Sequence, residues 1–313
     1  IAVALGGDAS VATNGFWSAL TIATTLKLPV LFYIEDNGYG ISVPSDLQTP
    51  GKNIAKNLAS FQNLTVIDGD GTSPAETSFF AKQAVKKVRD REGPVLLRLT
   101  VPRLMGHSAQ DTQTYKSEIQ ISNETKSDPM PKLKEFLVGP VMSNKEWNKI
   151  EADARADVIT HVTNADKRPD PEVDEITRHV FADNFGDGTD EIQLMGGLKA
   201  AGIKLSKGFD KPSSEGARIN MVTAIRRTLK VELETNKRLL IFGEDVGPKG
   251  GVHAMTIGLQ DKFGDKRVFD TSLSEEGIIG RAVGMAMAGL MPVPEIQFRK
   301  YADPAVEQLN DCG

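Results

Sequence analysis

Asp8 and Asn37 occupy matching places in two successive stretches of the chain. Asp8 follows the apolar run 1–5, in Gly7-Asp8-Ala9-Ser10. Asn37 follows the apolar run 30–34, in Glu35-Asp36-Asn37-Gly38-Tyr39-Gly40, 29 residues later. A crossover of about thirty residues, usually through a helix, joins two parallel strands. It brings both strand C-termini to one edge of the sheet, where open α/β sheets take ligands. A carboxylate, an amide oxygen and a loop carbonyl at that edge are hard oxygen donors, suited to magnesium holding phosphate groups. Context separates this pair from other Gly-Asp sequences. Gly69-Asp70-Gly71 and Gly186-Asp187-Gly188 are similar, yet 29 residues beyond their acids stand Leu99 and Gly216. The plain alternative is an Asp that caps the following helix near Thr13 and an Asn that turns a tight loop.

The elements that must position these residues follow from the pattern. Residues 1–5, 30–34, 64–67 and 95–100 are predicted strands, and 13–27 a helix with Phe16, Leu20, Ala23 and Leu26 on related faces. Ser73-Pro74-Ala75-Glu76 has the form of a capping box with proline at the first helical position, opening a helix to about Arg89. This alternation predicts a mostly parallel sheet covered on both faces. A polar helical region comes next, in which Ser143-Asn144-Lys145-Glu146 opens a helix carrying Trp147, Ile150 and Ala154. Residues 184–215, rich in Gly, Lys, Asp and Ser, read as a linker. The α/β pattern then returns: a helix 221–234 capped by Asn220, a strand 239–242, a helix 256–263 ending at Gly264, a strand 268–269, a helix from Ser274 to about residue 287, a strand 293–298, and a last helix opened by Asp303-Pro304. The expected division is 1–130, a helical extension 131–183, a linker 184–215, and a second α/β domain 216–313.

With these motifs in place, the first stretch resembles the thiamine diphosphate motif, usually GDG, a spacer and NN. Gly7-Asp8-Ala9 and Asp36-Asn37 stand in those positions, with Ala9 replacing the last glycine and Asp36 the first asparagine. Residues 10–44 are similar to the α subunit of the decarboxylating first component of 2-oxoacid dehydrogenase complexes. Gly243-Glu244-Asp245-Val246, Gly250-Gly251-Val252, Asp270-Thr271-Ser272-Leu273-Ser274-Glu275 and Pro294-Glu295-Ile296-Gln297-Phe298 are similar to the β subunit of the same enzymes. The resemblance implies an α/β fold class: two thiamine diphosphate-binding-type domains, each a parallel sheet flanked by helices, with α and β parts fused. It implies oxidative decarboxylation of a 2-oxoacid, a branched-chain one or pyruvate. The acyl group would pass to the lipoyl group of a dihydrolipoyl acyltransferase, the expected partner.

Thiamine diphosphate and magnesium are the implied cofactors. Gly7, Asp8, Ala9 and Ser10 would approach the cofactor together with Asn37 and Tyr39. Asp8, Asn37 and the Tyr39 backbone carbonyl would be the magnesium ligands. Glu275 would contact the aminopyrimidine ring and share a proton with its nitrogen. In the loop from Arg103 to Asp111, the resemblance implies that His107 faces the diphosphate and the reacting centre, that Arg103 suits the phosphate charge, and that Ser108 matches a position phosphorylated in mitochondrial relatives. The plain alternatives are a first-turn acid favoured by the helix dipole for Glu275 and a solvated loop histidine for His107. Phe298 and Tyr301 could pack on the pyrimidine ring or in a core. His161 and His179 read as surface residues. A transketolase-like enzyme and a non-catalytic module that kept the fold remain open.

Bulk properties bound the answer. The 313 residues allow two domains with real cores. Net charge −5 argues against nucleic acid as a partner. The single cysteine, Cys312, excludes an internal disulfide framework and suits a reducing compartment, so a cytoplasmic location is expected. The longest apolar stretch, 282–293, is too short for a membrane span and reads as a buried helix. The chain starts inside a strand-like run without Met, so a fragment of a longer protein is expected, homodimeric when full length.

Overall fold

The computed structural model describes residues 1–173, 175 and 216–312. The linker reading for 184–215, His179 and Gly186-Asp187-Gly188 lie outside the described residues. The chain divides into two units, the first ending at residue 181 and the second beginning at 182.

In the first unit, β1 (Ala2–Gly7), β2 (Val30–Asp36), β6 (Val95–Thr100) and β5 (Thr65–Asp70) form a sheet in the order β1-β2-β6-β5, all parallel. Side chains alternate across a strand, and the core divides accordingly. Phe32, Ile34 and Leu96 join Phe16, Leu20 and Ala23 of α1 (Asn14–Thr25) and Ile54 and Ala55 of α2 (Ile54–Asn57) on one face. Leu31, Val95, Leu97 and Leu99 meet Ala84 and Val88 of α3 (Pro74–Arg89) on the other. β6 is therefore buried on both faces, which is why it reads as a nearly unbroken apolar run. Leu26, expected on a face related to that of Phe16, Leu20 and Ala23, caps the end of α1 and is exposed. Thr13 caps α1 and Ser73 caps α3, each accepting a backbone N–H three residues on. β1 is different. Among the described strands it pairs with β2 alone, and Val3 and Leu5 are exposed.

A short hairpin, β3 (Tyr39–Gly40) with β4 (Val43–Pro44), follows β2. After β6 come α4 (Glu118–Lys126), α5 (Pro129–Leu137) and α6 (Asn144–Asp166). Ser143 and Glu146 close a reciprocal capping box at the start of α6. The hairpin, α2 and α4 have too few apolar residues in register to be read from periodicity.

The second unit holds a parallel sheet in the order β8 (Val268–Asp270), β7 (Leu239–Gly243), β9 (Met291–Glu295). Leu239 and Ile241 pack with Leu233 of α7 (Met221–Thr235) and Leu259 of α8 (Leu259–Phe263). Phe242 packs with Ile278 and Ala282 of α9 (Glu275–Met287), which lies against α10 (Ala302–Cys312). Three expectations need correction. The helix expected over 256–263 is only Leu259–Phe263, because Gly258 takes a left-handed φ of 73° and the Thr256 hydroxyl donates to the Val246 carbonyl. The strand expected at 293–298 is Met291–Glu295; Pro292 and Pro294 are tolerated because β9 is an edge strand. The apolar run 282–293 is no single buried helix: α9 ends at an exposed Met287, and Gly289, with φ 83°, turns the chain into β9. Among the described residues no helix is long and apolar enough to cross a membrane.

The two-sided burial of β6 sets a stability contrast. Leu97→Ala empties a site with 0% exposure and is expected to lower unfolding free energy by about 2–5 kcal/mol in urea titrations. Leu5→Ala, at 77% exposure, is expected to change it by no more than about 0.5 kcal/mol.

Candidate functional site

The parallel register pairs Gly7 with Glu35. Asp8 and Asn37 thus each stand one residue beyond a strand end, on the same edge. The Asn37 N–H donates to Asp8 Oδ1 at 3.3 Å. Asp8 is 3% exposed, and its Oδ2 is buried with no hydrogen-bond partner. Burial, and then the Asp36 carboxylate, push the Asp8 carboxyl above its ordinary range, against the pull of two backbone N–H groups and of Arg103. The capping alternative for Asp8 fails, because Thr13 caps α1 itself through its Oγ1.

Around this acid the loop residues interlock. Ser10 Oγ donates to the Gly7 carbonyl at 2.7 Å. A Cβ on Gly40 would stand 2.5 Å from the Ala9 methyl, so the methyl that replaces the motif's last glycine is taken up by a contact between the two loops. Asn37 Oδ1 accepts the Tyr39 N–H at 3.0 Å, which uses one of its two lone pairs. The donor set is a carboxylate with an idle oxygen, an amide oxygen with a free lone pair, and the Tyr39 backbone carbonyl two residues further along the chain. It fits a hard divalent cation. Groups of three or more His, Cys, Asp or Glu that could hold a metal do not occur among the described residues; this set relies instead on an amide and a carbonyl. The look-alike Asp70 has a different occupation: it is exposed and accepts the Thr72 N–H and hydroxyl.

The loop after β6 returns to the same edge. Arg103 is buried, donates to the Ile41 carbonyl, and lies over the rings of Tyr39 and Tyr115 at 5.8 and 5.9 Å. Gln120 Nε2 donates to the Tyr39 hydroxyl at 2.7 Å. Asp111 organises the loop by accepting the His107 N–H at 2.7 Å, the Gln113 N–H and the Tyr115 hydroxyl; these bonds, the His107 one first, hold its carboxyl below the ordinary range. The side chains of His107 and Ser108 are exposed. Sequence reasoning gave Asp111 no role, although an acid four residues beyond His107 in a polar loop is a signal for such turns.

The second unit has its own cleft of about 740 Å3, with Glu244, Asp245, Asp270 and Glu275 on its walls beside Phe298 and Tyr301. Glu275 begins α9, whose cap Ser274 accepts the Gly277 N–H. Phe298 and Tyr301 meet edge to face at 5.7 Å and are part-exposed rather than in the core. Glu244 takes a hydrogen bond from Gln297 at 2.6 Å on one oxygen; the other is buried without a partner. Burial, then the charges of Glu275 and Asp245, raise its pKa. Glu295, which sequence reasoning passed over, also has a buried oxygen without a partner, and burial raises its pKa.

The family model described as "Dehydrogenase E1 component" matches residues 1–174, more than half of the chain. The chain belongs to the dehydrogenase E1 family. A second model, "Transketolase, pyrimidine binding domain", matches residues 217–311 of this E1 chain. Both are domains of thiamine diphosphate enzymes. A Mycobacterium tuberculosis 3-methyl-2-oxobutanoate dehydrogenase subunit beta is 50% identical over 91 residues, 29% of the chain and 26% of that protein. A Pseudomonas aeruginosa 2-oxoisovalerate dehydrogenase subunit beta matches at the same identity and shares. A Leifsonia xyli pyruvate dehydrogenase E1 component subunit beta is 46% identical over 100 residues, 32% of the chain and 30% of that protein. The E1 chain thus spans less than a third of these curated relatives. A Campylobacter jejuni transketolase structure matches 98% of the chain and 44% of its own, at 15% identity and a TM-score of 0.49.

Two charge removals test the site. An acid whose pKa rises on folding contributes stability that is present below its unfolded value and lost as pH rises through its folded value. Asp8→Asn is therefore expected to raise the melting temperature of metal-free protein at pH 7, by about 2–4 °C per 1 kcal/mol relieved, while abolishing any stabilisation by added Mg2+. Glu244→Gln keeps an acceptor for Gln297. Its stability gain over wild type should grow as pH rises above the ordinary glutamate value of 4.5, read by thermal melts across pH.

Proposed function

We propose that the chain is part of the decarboxylating component of a 2-oxoacid dehydrogenase complex, with α-type and β-type parts in one polypeptide. The observation that carries this reading is the buried, unpartnered Asp8 oxygen held beside Asn37 at the sheet edge. Asp8, the Asn37 amide oxygen and the Tyr39 carbonyl would hold Mg2+, and the ion would hold the diphosphate of thiamine diphosphate. The cofactor, when bound, supplies the nucleophilic carbon and the electron sink for decarboxylation.

The protein's part is orientation and proton placement. Glu275 would hold a proton at the aminopyrimidine ring nitrogen, with Phe298 and Tyr301 as apolar walls that exclude water. Gly7, Ala9 and Ser10 would shape the loop that meets the diphosphate. Arg103 would fix Tyr39 and offset phosphate charge. His107 would face the diphosphate and the reacting centre and assist acyl transfer to the lipoyl group as acid or base. The substrate class is a short 2-oxoacid. Relatives named for 3-methyl-2-oxobutanoate, for 2-oxoisovalerate and for pyruvate support a branched-chain acid first and pyruvate second. The acyl acceptor is the lipoyl group of a dihydrolipoyl acyltransferase, and the working form is a homodimer of the full-length protein.

The test is turnover of the full-length protein on a 2-oxoacid panel with thiamine diphosphate, Mg2+ and lipoamide. Glu275→Gln is expected to lower kcat by about 10²–10⁴-fold with cofactor binding retained. Unimpaired turnover removes Glu275 from the mechanism. Transfer to aldehydes in place of lipoamide overturns the dehydrogenase assignment in favour of a transketolase-type reaction.

A further inference from the structure

Arg98 is the one charged residue in β6, in the sequence Val-Leu-Leu-Arg-Leu-Thr. It is 9% exposed, and Leu97 and Leu99 on either side are completely buried. A guanidinium in such a place needs partners, and Arg98 has two. Its Nε donates to Asp36 Oδ2 at 2.7 Å and its Nη1 to Asp68 Oδ1 at 2.6 Å. Asp68 stands opposite Arg98 in the β5–β6 register, and Asp36 ends the strand on the other side. Alternation puts all three side chains on the α1–α2 face, where Asn53, the cap of α2, donates to the other oxygen of Asp68 at 3.1 Å.

The same network continues outward. Asp36 Oδ1 accepts the Gly38 N–H at 3.0 Å, and Asn37 Oδ1 accepts the Tyr39 N–H at 3.0 Å. The Asp36 carbonyl accepts the Val101 N–H at 2.9 Å. An unbroken series of bonds thus runs from three sheet strands into the turn that carries Asn37 and Tyr39. Gly38, at φ 80°, has the left-handed backbone that this turn needs.

We propose that Arg98 is a positioning residue for the divalent ion: by locking Asp36 it fixes the Gly38 turn, and so the aim of the Asn37 amide and the Tyr39 carbonyl. This rests on the cofactor reading above. Residues behind metal ligands commonly set affinity in this way, with losses of about 10–100-fold when removed. Arginine suits the role because its planar fork reaches two carboxylates at once, whereas a lysine presents a single charged point.

The test titrates Mn2+ into the full chain with saturating thiamine diphosphate, read by electron paramagnetic resonance, beside melting temperatures. Arg98→Leu is expected to weaken Mn2+ binding about 10–100-fold, and Arg98→Lys to recover part of the loss. Because Arg98→Leu leaves a lone buried carboxylate and can unfold the protein, Arg98→Leu/Asp36→Asn is the second variant. It removes that charge while keeping an acceptor for Gly38, so it should recover melting temperature yet bind Mn2+ about tenfold or more weakly. Wild-type Mn2+ affinity in either folded leucine variant overturns the proposal and leaves the cofactor reading standing. Wild-type protein that binds no Mn2+ overturns both.

Discussion

Two strands that run the same way, in one fixed register, are what the first unit depends on. Gly7, the last residue of β1, stands beside Glu35, one residue before the end of β2, so the residue after each end meets the other across a hydrogen bond from the Asn37 N–H to Asp8. A slip of one residue would turn every side chain to the opposite face. It is resisted because Phe32 and Ile34 must stay with α1 and α2 while Leu31 stays with α3. The position of two polar residues at the rim is thus set by aliphatic packing in the middle of the sheet.

The two units handle charge in opposite ways. In the first, carboxylates are matched with cations: Asp36 and Asp68 with Arg98, Asp111 with Arg103, Glu124 with Lys116. Against that background one buried Asp8 oxygen is left without a partner. In the second, four carboxylates share one cleft; Lys249 answers Asp245 from an exposed position, while Glu244 has a neutral amide as its partner. Burial and the neighbouring carboxylates push the pKa of that group upward.

Much of this was legible in the sequence, for identifiable reasons. The strand at 95–100 was read to the residue because both of its faces are buried. Ser73, Ser143, Asn220 and Ser274 announced helix starts through capping chemistry that needs no tertiary context. Asp8 and Asn37 were readable as a pair because a crossover fixes their distance. What escaped depends on side-chain partners across the fold. Arg98 was visible as a charge within an apolar strand, but nothing local names Asp36 and Asp68 as its counterions. Ala9 departs from the motif's glycine, and only the fold sets Gly40 opposite its methyl. The strand expected at 293–298 lies at 291–295; Pro292 and Pro294 fit it only because it lies at an edge, and edge position is a property of the sheet, not of the segment.

β1 has one further consequence. Its outer edge carries a row of backbone donors and acceptors without a described strand beside it, and Val3 and Leu5 leave one of its faces apolar and open to water. Such an edge is a template for pairing with another chain. Val3→Lys or Leu5→Lys would act as a gatekeeper against such pairing without touching the core.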